Sequence, residues 1–262
     1  MSLGAVPDDG ELRIGGGWPA GRQLRAASGV PVAWVSDRDS GGGLAWADLA
    51  EQSAASGLQP FLLYGQVGGP VRPRETGERF DEQVSEPEDT AVIDTMDVAE
   101  VLDGWWWGPE EDELAEDEEL REMFGPFGAR FPGLAPAVEE EPEPELMQRA
   151  LRHAARPDRA GARNAPGRHL AAHWRAGAAN HRTASELAVV LRSWEDRFGS
   201  RLLEVGYDDI RLLVSRPPQA LGAAQQIAAE HFAFADEAHG LRGVGSIARA
   251  IVNNPFWDFW WD

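Results

Sequence analysis

The chain contains no cysteine and no lysine. Without a thiol there are no disulfides, thiolate nucleophiles or cysteine-ligated metals, and the absence suits a reducing compartment. All 24 basic residues are therefore arginine, a bias that reads as GC-rich codon usage. No stretch approaches the ~18 consecutive apolar residues of a membrane span. Residues 1–10 have neither the basic n-region nor the apolar h-region of a secretory signal. The expectation is a soluble, cytoplasmic protein that meets no membrane. A Gly-x-Ser-x-Gly elbow and a Walker loop are also missing, so no motif licenses a reaction type.

The 262 residues are long enough to bury a substantial core, and 11 Trp with 10 Phe belong to a globular chain. The 29 Gly and 18 Pro imply long irregular stretches between packed parts. The formal net charge of -20 repels nucleic-acid phosphates and anionic membranes and speeds encounter with a basic protein. It also confers plain solubility. The charge is uneven. Residues 75–145 hold most of the carboxylates, whereas residues 146–201 are rich in arginine, including Arg149, Arg152, Arg192 and Arg197. Two halves of opposite sign neutralise each other within one chain more simply than the basic half binds RNA or DNA, because it lacks interleaved aromatics.

The terminal Phe256-Trp257-Asp258-Phe259-Trp260-Trp261-Asp262 organises the rest. A segment this apolar must be packed, since each buried aromatic removes about 150–250 Å² from water. Asn253-Asn254-Pro255 stops a helix, and aromatics favour a strand. Alternation then puts Trp257, Phe259 and Trp261 on one face and Phe256, Asp258, Trp260 and Asp262 on the other, as in an inner strand covered on both sides.

Strand candidates at 30–35 and 60–64 flank a helix over 44–55, the spacing of a βαβ unit with parallel strands. Short helices are expected near Asp94–Leu102 and from Pro109, where carboxylates meet the positive helix end. Thr183-x-x-Glu186 is a capping box, followed by Leu187, Val190, Leu191, Trp194 and Phe198 on one face and a stop at Gly199. Residues 202–205 and 210–215 read as antiparallel strands. A helix follows Arg216-Pro217-Pro218, with Leu221, Ala224, Ile227, Ala228 and His231 inward, and a last helix spans 246–252. The fold class is α+β: a mixed or antiparallel sheet with packed helices, an N-terminal βαβ-like part, and an acidic, partly disordered insertion. Residues 1–135 form the N-terminal α/β part with its insertion from about 75. Residues 136–168 form a Pro/Glu-rich and then Arg-rich linker, and residues 169–262 a C-terminal α+β domain.

The stretch Leu191-Arg-Ser-Trp-Glu-Asp-Arg-Phe-Gly199, the Arg216-Pro-Pro218 turn, Ala229-Glu-His-Phe-Ala-Phe234 and the Phe259-Trp-Trp-Asp262 tail resemble an uncharacterised, chiefly actinobacterial family, a domain of unknown function, over about residues 173–262. Related sequences carry Cys-Pro-Asp after the position of Phe234, where this chain has Ala235-Asp236. The resemblance implies no activity, ligand or catalytic residue.

Several constellations carry candidate chemistry. His169 and His173, one helical turn apart, and His181 supply enough nitrogen for zinc. Gly167 and Gly177 work against that helix, and a further ligand from Glu230, His231 or His239 would be needed, so neither a metal nor any other cofactor is expected. Gly243-Val-Gly245-Ser-Ile-Ala248 matches a dinucleotide pattern, but no strand is read before it. His173, Glu230, His231 and Asp236 are candidate acid–base residues for a hydrolase or metal-assisted enzyme. Trp105, Trp106 and Trp107, with Glu110, Glu111, Asp112 and Glu113 just beyond, are candidates for partner binding, while the same tryptophans suit the core. Three functions follow: a non-enzymatic, cytosolic protein-interaction module that binds a basic partner through an acidic surface, with an inhibitor or immunity-like role as its sharpest form; an enzyme using the His/Glu/Asp set; and a structural subunit of a larger assembly.

Overall fold

The computed structural model describes residues 21–25, 28–29, 31–36, 46–51, 60–63, 92–139, 144–154, 163–164, 182–205, 209–235 and 237–261. Among them the architecture is α+β. A six-stranded mixed sheet has β4 (Arg163–Asn164), β3 (Leu62–Leu63), β5 (Ser200–Val205), β6 (Asp209–Val214), β8 (Phe256–Trp260) and β7 (Glu237–Ala238) in that spatial order. Only the β3–β5 pairing is parallel.

The tail is the inner strand its sequence predicts. β8 pairs antiparallel with β6, Phe259 opposite Ile210 and Trp257 opposite Leu212, and with β7 on its other edge. Alternation sorts its side chains between two cores. Trp257, Phe259 and Trp261 join Ile210, Leu212 and Val214 in the larger one, whereas Phe256 packs with Leu203 and Leu213 in the smaller. The larger core is closed by α2 (Val98–Trp105), α4 (Glu118–Phe124), α6 (Ala184–Phe198), α7 (Leu221–Phe234) and α8 (Val244–Ile251). The smaller is closed by α1, whose described residues are 46–51, and by α5 (Pro144–Ala154), through Trp46, Ala50 and Ala150. Trp46 Nε1 donates to the carbonyl of Pro60 at 2.8 Å, tying α1 to the entry of β3.

α6 forms where its caps place it. Thr183 Oγ1 accepts from the Glu186 amide at 3.2 Å, Glu186 Oε2 accepts from the Thr183 amide at 2.8 Å, and Gly199 ends the helix at φ 60°. A β-carbon at Gly199 would overlap Ser215 Oγ as well as straining the backbone. Gly199→Ala should therefore destabilise the fold by more than about 1 kcal/mol, read as a lower urea midpoint.

Three expectations are corrected. The strand–helix–strand order is present, but β2 (Pro31–Ser36) pairs antiparallel with β1 (Gly21–Arg25) in a separate two-stranded sheet, while β3 lies between β4 and β5. A strand twelve residues or fewer from its partner reaches it by a short hairpin, which competes well against a crossover. Leu221, expected inward on α7, is 48% exposed because it opens the helix, before the sheet begins to cover it. Residues 92–139 of the acidic region are built into the body. Ile93, Leu102, Trp105, Trp106, Phe124 and Ala135 belong to the same core as α6, α7 and β8. Val138, just beyond, packs against that core as well.

Candidate functional site

Two groups of residues stand apart from ordinary packing: an acidic platform with an exposed tryptophan, and a buried Glu230–His231 pair.

The platform begins where α2 ends. Trp105 and Trp106 turn into the core, and Trp107 does not, remaining 58% exposed. Its ring stands edge-on to Phe124 at 4.8 Å and lies near Phe232 at 6.0 Å, so it is fixed on one side and open on the other. Gly108 allows the chain to pass closely over the Ala129 carbonyl, which a β-carbon would strike. α3 (Glu111–Glu116) and α4 follow. Glu113 Oε2 accepts from the Glu110 amide at 2.9 Å, fixing the start of α3, and Asp117 Oδ1 accepts from the Glu119 amide at 2.8 Å, fixing the start of α4. Leu114, Leu120, Met123 and Phe124 hold the two helices to the body.

Glu110, Glu111, Asp112, Glu113, Glu116, Asp117, Glu118, Glu119 and Glu122 are all exposed. Among the described residues none of them has an ion-pair partner. Arg121, the only cation of the stretch, spends its guanidinium on the carbonyls of Leu114 and Ala115 at 2.8 and 2.7 Å. Like charges one turn apart on a helix each cost a few tenths of a kcal/mol, so the fold holds together a set of charges that it does not neutralise.

The second group lies on α7. Glu230 and His231 are fully buried and consecutive, so their side chains leave the helix in different directions. Glu230 Oε1 accepts from the Ala135 amide and from one terminal nitrogen of Arg197, and Oε2 accepts from Trp194 Nε1 and the other terminal nitrogen, each at 2.7 Å. Four donors occupy the four lone-pair directions of a carboxylate. Arg197 also donates to the Ala135 carbonyl at 2.8 Å, and its own carbonyl accepts from the Val138 amide at 3.1 Å. The network ties residues 135–138 to α6 and α7. It leaves Glu230 no lone pair for a substrate.

His231 faces the opposite chemistry. Its ring stands against Trp257 at 4.4 Å, Phe259 at 4.9 Å and Trp194 at 5.0 Å. Burial, then His239 and Arg197, push its pKa well below 6.5, so it is neutral at pH 7. Its ring lies 5.7 Å from that of His239, a residue the sequence offered only as a spare zinc ligand. Arg197, the cation that matters to Glu230, was not among the candidates either. It lies 33 positions away on another helix, and no spacing rule joins the two.

His169, His173, His181 and Asp236 lie outside the described residues, as does Asp262. Among the described residues no group of three or more His, Asp or Glu is arranged to hold a metal ion. The glycines of the dinucleotide-like stretch have a packing reason. Gly243 has φ 95°, and a β-carbon there would sit 3.2 Å from the Met123 α-carbon, so it lets α8 begin directly against α4.

Residues 165–262 match a family model described as a domain of unknown function (DUF4253). No curated protein and no solved structure matches the chain. The matched residues include α6, α7, α8 and the strands β5 to β8, while the acidic platform lies ahead of them. No helix among the described residues is long and apolar enough to cross a membrane.

Proposed function

We propose that this protein is a non-enzymatic interaction module that binds a basic protein partner, with Trp107 as the apolar anchor and the carboxylates of α3 and α4 as the steering field. The observation that carries the reading is the exposed Trp107 beside nine exposed carboxylates without ion-pair partners among the described residues. Tryptophan is enriched among residues that dominate binding energy, and its face attracts arginine or lysine. The surrounding negative charge raises the rate of encounter and selects against acidic partners. An inhibitor or immunity-like role is the sharpest form of this reading, and a cytoplasmic setting goes with it, supported by the cysteine-free sequence. The saturated Glu230 argues in the same direction, because it removes the best carboxylate from acid–base work.

The test compares the wild-type protein with Trp107→Ala and with a neutralised platform, Glu111→Gln, Asp112→Asn, Glu116→Gln and Glu118→Gln combined. Partners captured from the host lysate at about 50 mM salt, where the Debye length is roughly 14 Å, are identified by mass and their affinities measured with purified protein. A partner that fits the proposal is basic and binds at least tenfold more weakly at about 300 mM salt. It loses about 30-fold, or 2 kcal/mol, with Trp107→Ala. Neither variant should change the thermal midpoint by more than a few degrees, since the side chains changed are exposed. Absence of any partner at low salt, or one retained equally by all three proteins, overturns the proposal.

A further inference from the structure

His231 is a polar group that the fold leaves without an explanation. It is fully buried, and among the described residues neither Nδ1 nor Nε2 has a hydrogen-bond partner. Nε2 of His239 is also buried with no hydrogen-bond partner among the described residues, and the two rings are 5.7 Å apart and nearly parallel, at 23°. Polar atoms in this state cost folding free energy and call for a reason.

The segment that covers the pair is weakly held. β7 is two residues long and lies at the edge of the sheet. It leads into a turn at His239 and Gly240, both left-handed, with φ 59° and 66°. For histidine that conformation is strained. The turn is tied down by the His239 amide donating to the Asp258 carbonyl at 2.7 Å and the Leu241 amide donating to the Ala238 carbonyl at 3.0 Å. A short, strained edge segment opens at lower cost than the inner strands.

We propose that His231 and His239 form an acid-operated latch: proton uptake by the pair releases residues 237–242 from α7 and β8 while the rest of the sheet stays closed. Among the described residues, the charged groups acting on the pair come from three elements. Arg197 of α6 and Arg211 of β6 oppose protonation, and Asp258 of β8 favours it at His239. Asp258 is itself paired with Arg211, and Glu230, next to His231 on α7, is engaged by Arg197. Among the described residues, both of these carboxylates are thus already engaged by an arginine. Burial dominates at both sites, and it holds His239 at about 4 against the ordinary 6.5. The open form, with ordinary imidazoles, binds more protons than the closed form between these values. Closure is therefore fully favoured above pH 6.5 and weakens as the pH falls towards 4. The opening equilibrium grows about tenfold per pH unit for one proton taken up and about a hundredfold for two.

Amide hydrogen exchange followed by NMR between about pH 7 and 4.5, expressed as protection factors, tests the latch. Below pH 6.5 the His239 and Leu241 amides should lose protection at least tenfold per unit, while the Ala228 and Val190 amides keep theirs. His239→Gln, which keeps size and polarity without titrating, should flatten the slope to that of His231 alone or abolish it. His231→Phe should do the same, and if that variant does not fold the glutamine variant decides. The proposal is overturned by a flat profile at 239 and 241, by an unchanged slope in His239→Gln, or by core amides losing protection in parallel.

Discussion

Replacing Glu230 with alanine should lower the free energy of unfolding by about 3–5 kcal/mol, the range for removing one partner of a buried ion pair. The loss is large because three groups are stranded together. Arg197 would keep its charge, at 14% side-chain exposure, with no counter-ion. The Trp194 indole and the Ala135 amide would each lose the acceptor they use inside the core. Glu230→Gln should fall between, since it retains an oxygen for one or two donors but not the charge. The double variant Glu230→Leu with Arg197→Met should recover much of the loss, because replacing a whole buried pair by apolar groups of similar volume is often neutral. Urea denaturation reads these differences directly, provided the slope is unchanged. A Glu230→Ala loss below about 1 kcal/mol would mean that the carboxylate is not the counter-ion the geometry describes, and would return it to the list of residues available for chemistry.

That result bears on how much of this molecule its sequence discloses. What was legible is local and periodic. Thr183 and Glu186 cap α6, Gly199 ends it, and Trp194 and Phe198 lie on its buried face because a 3.6-residue repeat leaves no other placement. The two faces of the tail followed from alternation alone: Trp257, Phe259 and Trp261 enter the larger core, and Phe256 on the other face packs against the smaller. What was not legible depends on partners far away in the chain. β1 lies in a glycine-rich stretch with weak periodicity, so nothing in its pattern points to β2 as its partner. The acidic region looked like a loose insertion because its dense carboxylates and repeated Gly and Pro break up its apolar residues. Yet Ile93, Leu102, Phe124 and Ala135, spaced widely among them, suffice to dock it. Glu230 and His231 suggested joint chemistry because they are adjacent in sequence. Adjacency on a helix separates side chains by about 100°, and each residue found its partner on a different element.

The C-terminal strand should prove indispensable: a chain ending at Pro255 should fail to fold, and Trp257→Ala alone should cost about 3–5 kcal/mol. β8 is bonded along both edges, to β6 and to β7, so its loss would leave β6 as an open edge with Ile210, Leu212 and Val214 uncovered on one face. Such an edge invites pairing between chains, and the truncated protein should aggregate. Trp257 meets Trp194 at 5.7 Å, Phe198 at 5.5 Å and His231 at 4.4 Å, all edge-on, so its removal opens a cavity bounded by rings that cannot collapse easily. The effect should come from lost area and packing and not from the indole N–H, which is buried with no hydrogen-bond partner among the described residues. Trp257→Phe should accordingly cost much less than Trp257→Ala. Trp260 lies on the opposite, half-buried face, and Trp260→Ala should cost about 1 kcal/mol. Thermal and urea unfolding of the four proteins would rank them in that order. Equal losses at positions 257 and 260 would contradict the assignment of the two faces, since only a strand with one fully covered side separates neighbours three residues apart so sharply.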